Sequence, residues 1–142
     1  RGGQRLLDDF MRSGTAGSII MLDIDHFKLI NDTHGHLIGD KVLQQFAERV
    51  SGALRSDGHL IRWGGEEFLV LIRGIAEQDA VVVAERLRHA INKELFTPVG
   101  RLTASGGVTS RRENDTFESL IARADKALYQ AKLNGRDQVV GD

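Results

Sequence analysis

The sequence predicts an α/β (α+β) domain, a central mixed sheet covered by helices. Three observations carry that prediction. Short apolar runs rich in β-branched residues alternate with stretches whose apolar residues recur at helical spacing. Two of the runs are joined by Gly64-Gly65, which marks a hairpin. The chain has 142 residues, 41% of them hydrophobic and 27% charged, with no repeat and no linker, so residues 1–142 read as one domain with one core. The arginine at position 1, where a start would place methionine, raises the expectation of a fragment of a longer, multidomain polypeptide.

The elements follow in order. In "RGGQRLLDDFMR", Leu6, Leu7, Phe10 and Met11 share one helical stripe. "GSIIMLDID" reads as a buried strand that ends in Asp23 and Asp25. "HFKLINDTHGHLIGD" is polar and interrupted by Gly35 and Gly39, which predicts a short helix and a loop. From about Asp40, the residues Leu43, Phe46, Ala47, Val50 and Leu54 keep helical spacing. "HLIRW" and "EFLVLI" are the hairpin strands, and Gly64-Gly65 is expected to turn them because glycine tolerates positive φ. A helix over about 77–95 carries Ala84, Leu87, Ile91 and Leu95 on one face. "RLTASGGVTS" is a strand. The clearest helix spans "NDTFESLIARADKALYQAKLNGRD", with Asp115 as N-cap, Glu118 completing an acidic capping box, and Asn134-Gly135 as its stop. "DQVV" is a short last strand.

Composition removes several classes of function. Nineteen basic and twenty acidic residues give a net charge of -1, so no global basic field exists for nucleic acid or an anionic membrane. With no cysteine there is no disulfide framework, thiol nucleophile or thiolate metal site, which fits a reducing, cytoplasmic setting. No apolar run is long enough to span a membrane.

The chemistry concentrates in carboxylates. Alternation along the first strand is taken to send Asp23 and Asp25 to opposite faces, so that Asp23 and a neighbouring main-chain carbonyl serve a site together. Taken alone, the pair more often caps the following helix. Glu66 and Glu67 sit on a rigid turn and repel each other, and a cation would relieve that repulsion; an exposed polar turn is about as common. Carboxylates without cysteine or histidine partners suit Mg²⁺ or Mn²⁺, ions that arrive with phosphates. Lys28 lies near a helix start whose N–H groups can hold phosphate. Lys132 and Arg136 flank the end of the last helix, where complementing the helix dipole is their ordinary role. Asn31, His36 and Asp40 surround turn glycines; a carboxylate can accept from the N1–H and N2–H₂ edge of guanine.

Together, "MLDIDHFKLINDTHGHLIGD", "RWGGEEFLVLI" and "ARADKALYQAKLNGRD" resemble the GGDEF family of diguanylate cyclases, in the family's order and spacing, over most of Gly17 to Asp137. The resemblance implies a fold like the palm of nucleotide polymerases and nucleotidyl cyclases. It implies condensation of two GTP into cyclic di-GMP and two pyrophosphates between two copies of the domain, in a cytoplasmic location, under the control of an attached N-terminal region that can itself be membrane-anchored. Residue by residue, Asp23, the carbonyl of Ile24, Glu66 and Glu67 would bind Mg²⁺, with Mn²⁺ as the other candidate. Glu66 would promote deprotonation of the 3′-OH, and Glu67 would assist. Asn31 and Asp40 would read guanine with His36 close by. Phe27, Gly64 and Gly65 would lie against the nucleotide, and Lys28, Lys132 and Arg136 would hold its phosphates. The competing class is a non-catalytic module that binds GTP or cyclic di-GMP, but such degenerate members usually lose the signature that "GGEEF" retains.

Two departures stand out. Many members carry an inhibitory Arg-x-x-Asp before the signature; here "RSDG" keeps Arg55 but places Gly58 fourth and Asp57 one residue early, so product inhibition there is expected to be weak or lost. "ASGGV" has glycine where an aliphatic residue is common, an expected modest loosening of that strand.

Overall fold

The computed structural model describes residues 2–12, 16–54 and 58–142. Its elements are α1 (Gly2–Arg12), β1 (Gly17–Ile24), α2 (Phe27–His34), α3 (His36–Ala53), β2 (Gly58–Arg62), β3 (Glu67–Arg73), α4 (Glu77–Asn92), β4 (Ala104–Ser110), α5 (Phe117–Leu133) and β5 (Val139–Gly141). The expected order of elements holds. One sheet runs β2-β3-β1-β4-β5. β1 is antiparallel to both its neighbours, β2 to β3 likewise, and β4–β5 is the parallel pair.

β1 is the apolar spine because helices cover both of its faces, and every one of its residues is buried. Ile20, Leu22 and Ile24 pack with Phe68, Val70 and Ile72 under α2, α3 and α4. Ile19 and Met21 pack with Leu69 and Leu71 against Leu7 and Phe10 of α1 and Leu120, Ala124 and Leu128 of α5. The alternation that builds these two layers also sets where the carboxylates at the strand end point.

Four local expectations are corrected. Asp40 does not open the third helix: α3 starts at His36, and Gly35 alone, at φ 89°, breaks the chain between α2 and α3. Gly39, expected to interrupt, is buried inside α3. Leu95 lies beyond α4 and is exposed, so the apolar face of that helix ends at Ile91. The capping box of α5 is Thr116 with Ser119, each side chain bonded to the other residue's backbone N–H; Asp115 accepts instead from Arg123, Ser119 and the Arg112 N–H.

The glycines of β4 do not loosen the sheet. A Cβ on Gly107 would lie 2.3 Å from the Ala124 carbonyl oxygen and 2.4 Å from the Leu128 nitrogen, so this residue is what lets the α5 backbone sit on β4. At Gly106 the side chains of Leu22 and Val139 have closed in, to 3.2 and 3.4 Å of where a Cβ would be.

Candidate active site

The sheet brings the two signature segments side by side. Asp23, next to last in β1, pairs in register with Glu67, the first residue of β3, and Glu66 precedes it on the turn. Asp23 is 4% exposed; Lys132 of α5 donates to its Oδ2, while its buried Oδ1 meets no fixed donor, and a protonated Glu66 carboxyl is the neighbour that can hydrogen-bond Asp23. Burial pushes the Asp23 pKa above its usual value, and the Lys132 ammonium pulls it part of the way back. Glu66 is raised by burial and then by the Asp23 charge; Glu67 is raised by burial, then by Asp125 and Asp23.

Asp23 and Asp25 do not face opposite ways. Residues two apart on a strand share a face, and both turn toward α5 and the loop that follows it. What distinguishes them is their partners. Asp25 accepts from Thr103, Ser105 and the Asp137 N–H, whereas Asp23 keeps an oxygen free. The Ile24 side chain is in the core on the other face, so only its main chain can serve the site.

These groups suit a hard divalent cation. The donors are carboxylate and carbonyl oxygens, one of them an orphaned buried Oδ1, a group that costs free energy until something binds it. Among the described residues no three histidine, cysteine, aspartate or glutamate side chains form a ready ligand cluster. Asp23 and Glu66 would therefore supply part of a shell that water and phosphate oxygens complete, the usual arrangement for Mg²⁺.

An open cleft of about 370 Å³ adjoins the carboxylates, lined by Phe27, Lys28, Asn31, His36, Asp40, Leu43, Arg62, Gly65 and Glu66. All the predicted base-contacting residues thus meet in one place. The Asn31 Oδ1 is buried and unpartnered, the second such atom among the described residues. It sits against α3 only because Gly39 has no side chain: a Cβ there would lie 1.9 Å from it. Lys28 is exposed and paired with Asp32 at 3.2 Å. No side chain caps the start of α2, where His26 holds φ 60°, so its first-turn N–H groups remain available to an anion.

The Gly64-Gly65 turn needs correction on one point. Neither residue has the positive φ expected of it. Gly65 has no protein atom within 4 Å of where a Cβ would be, and Gly64 has only Glu67. The turn is instead held by Trp63 and Gly64 N–H bonds to the Glu67 carbonyl and by Arg62, whose guanidinium donates to Gly65 O at 2.6 Å and Gly64 O at 3.4 Å.

Arg62 and Asp125 were not singled out from sequence. Arg62 could have been found as the cation closest before the glycines. Asp125 stands seven residues before Lys132, two turns of α5, and so on the same face. Gly64, Lys132 and Arg136 do not line the cleft: Lys132 reaches the carboxylates from α5, and Arg136 is exposed just beyond that helix. Arg55 and Asp57 lie outside the described residues; Gly58 begins β2.

A five-stranded mixed sheet carrying carboxylates beside a nucleotide-sized cleft defines a palm-type α/β domain. The chain belongs to the GGDEF family: the model described as "Diguanylate cyclase, GGDEF domain" matches residues 3–138. It is 44% identical over 145 residues to the response regulator PleD of Caulobacter vibrioides, covering 95% of this chain and 32% of PleD. It superposes with TM-score 0.90 and 39% identity on diguanylate cyclase SiaD of Pseudomonas aeruginosa, solved with its activator SiaC, over 98% of this chain and 56% of that one. The active GGEEF domain of a Vibrio cholerae diguanylate cyclase superposes with TM-score 0.87 and 32% identity, over 97% of this chain and 94% of that one. The chain spans about a third of the length of PleD. Among the described residues no helix is long and apolar enough to cross a membrane.

Proposed function

We propose that this domain is a diguanylate cyclase that condenses two GTP into cyclic di-GMP and two pyrophosphates where two copies of the domain meet. The observation that carries the reading is the juxtaposition of Asp23 and Glu66, one with an orphaned buried oxygen, at the edge of the cleft that holds Asn31 and Asp40.

Each copy holds one GTP. Asp40 accepts from the N1–H and N2–H₂ groups of guanine and Asn31 adds an amide contact, a pattern adenine cannot match on that edge. The first-turn amides of α2, with Lys28, Lys132 and Arg136, bind the polyphosphate. Glu66 takes the proton of the 3′-OH. The oxygen so freed bonds to the α-phosphorus of the GTP in the opposing copy, and the bond from that phosphorus to pyrophosphate breaks. The same exchange in the other direction closes the ring. Held by Asp23, the Ile24 carbonyl, Glu66 and Glu67, Mg²⁺ or Mn²⁺ would neutralise phosphate charge and lower the pKa of the hydroxyl. Product inhibition through Arg55 is weak or absent on this reading, because Gly58 replaces the acid.

Incubating the concentrated protein with GTP and Mg²⁺ should yield cyclic di-GMP, and Glu66→Ala or Asp23→Ala should abolish it while circular dichroism stays native. A wild-type protein that forms no product even when dimerised by fusion would sink the proposal.

A further inference from the structure

Asp25 has no task in this chemistry, although it stands beside Asp23 and is only 4% exposed. Its acceptor capacity is taken up inside the protein. Ser105 Oγ donates to Oδ1 at 2.7 Å, Thr103 Oγ1 to Oδ2 at 2.6 Å, and the Asp137 N–H to that same Oδ2 at 3.0 Å. Oδ2 carries two of these bonds, so it ties the Thr103 hydroxyl of one segment to the Asp137 N–H of another.

The bond to Asp137 reaches into an unusual loop. Arg136 and Asp137 are consecutive non-glycine residues in left-handed backbone, at φ 65° and 48°. Each such residue costs about 1 kcal/mol or more, so surrounding contacts must hold the pair. α5 ends in a Schellman arrangement, with the Gly135 N–H on Lys132 O and the Arg136 N–H on Ala131 O. Asp137 is then gripped twice: its N–H by Asp25, and its carboxylate by Arg88 of α4 at 2.7 Å. The peptide planes on either side of the Arg136 Cα are therefore both fixed, and the direction of its Cα–Cβ bond with them. Its guanidinium makes no hydrogen bond to the described residues.

We propose that Asp25 is a positioning residue: with Arg88 it clamps the left-handed Arg136-Asp137 pair and so presents the Arg136 guanidinium to the terminal phosphates of the nucleotide. This rests on Arg136 being a phosphate ligand, as proposed above. A buried carboxylate next to a metal ligand thus organises the phosphate end of the site and binds no metal itself.

The test is the affinity of the domain, with Mg²⁺, for a GTP analogue that cannot condense, measured by calorimetry alongside kcat and KM for GTP. Arg136→Ala should weaken binding about tenfold, the scale of a charged hydrogen bond. Asp25→Ala, which removes the acceptor of the Asp137 N–H, should do nearly the same and raise KM far more than it lowers kcat. The double variant should bind no worse than Arg136→Ala alone, because Asp25 acts only through Arg136. Arg88→Met should shift affinity in the same direction and replaces Asp25→Ala if that variant does not fold. Additive losses in the double variant, or wild-type affinity in a folded Asp25→Ala or in Arg88→Met, would overturn the clamp while leaving Arg136 a phosphate ligand. Unchanged affinity in Arg136→Ala would overturn the clamp and that ligand assignment together.

Discussion

Gly39→Ala separates recognition from stability. Gly39 is buried in α3, and a methyl group there would lie 1.9 Å from Asn31 Oδ1, 3.0 Å from Asn31 Cγ and 3.3 Å from a Phe27 ring carbon. The Asn31 oxygen must retreat by more than about 1 Å to reach van der Waals distance. Asn31 is half-buried near the end of the short helix α2, so it can swing outward. Two terms then oppose each other in the free energy of folding. Alanine is about 1 kcal/mol better than glycine inside a helix, and residual overpacking costs about 1–3 kcal/mol. Net stability should stay within about 2 kcal/mol of wild type. Recognition has no such offset: losing the proposed amide contact to the base costs about 1–3 kcal/mol, roughly a 5- to 150-fold rise in KM. Urea unfolding and initial rates over a range of GTP concentrations measure both. Gly52→Ala is the control, since it lies in the same helix with nothing within 4 Å of the added methyl; it should leave KM alone and gain up to about 1 kcal/mol. An unchanged KM in folded Gly39→Ala protein would refute the role given to Asn31.

Other expectations concern charge and packing. Burial first, and Asp23 second, raise the Glu66 pKa above the ordinary 4.5, so its contribution to stability is fully present below that value and lost as pH rises through the folded value. Unfolding the metal-free domain from pH 4 upward should show this loss, and Glu66→Gln should flatten it; a steeper slope in the variant would contradict the assignment. Asp115 runs the other way: Arg123 drives its pKa far below the usual range, so its contribution is present above the ordinary aspartate value and disappears as pH falls. Asp115→Asn should accordingly weaken the domain at neutral pH and less so in acid. Lys132→Met frees Asp23 of its ammonium and should tighten Mn²⁺ binding to the nucleotide-free domain at least about threefold, measured by electron spin resonance, while weakening nucleotide binding; Lys126→Met, on an exposed face of α5, should do neither. Gly107→Ala drives a methyl into the α5 backbone and should cost about 3 kcal/mol or more in urea unfolding, so a loss under about 1 kcal/mol would argue against that contact.

Element order was legible because apolar periodicity follows burial, and burial is what sheet and helix faces demand. Glycine was not legible in the same way. Gly35, Gly39, Gly64 and Gly107 are one letter doing different things: a chain break at positive φ, a space for Asn31, a turn at ordinary φ, and a seat for a helix backbone. Only the tertiary neighbour tells these apart. The start of α5 shows a smaller version of the problem. Asp115, Thr116 and Ser119 are all competent caps, and the Arg123 ion pair that draws Asp115 away is eight residues off in sequence. The candidate site residues are legible as a set because three motifs recur at a family's spacing, but the different surroundings of the individual carboxylates are not. Asp23 and Asp25 look alike in "LDID", and the hydroxyls and amide that occupy Asp25 come from positions 103, 105 and 137.

The carboxylates themselves argue that the site exists for something the fold does not need. Asp23, Glu66, Glu67 and Asp125 all have pKa values raised by burial, and Lys132 offsets part of the shift in each. One ammonium among four acids makes the metal-free arrangement tolerable without making it favourable. The fold would be served as well by uncharged residues: β3 pairs with β1 through its backbone, and the apolar run from Phe68 to Ile72 supplies the packing. Glu66→Gln should thus leave the metal-free domain as stable or more so at neutral pH, while abolishing turnover. Charge kept at a cost to stability is the mark of a functional site. The same cost indicates what kind of ligand would relieve it, because a bound cation meets both the buried Asp23 Oδ1 and the mutual repulsion of the acids around it.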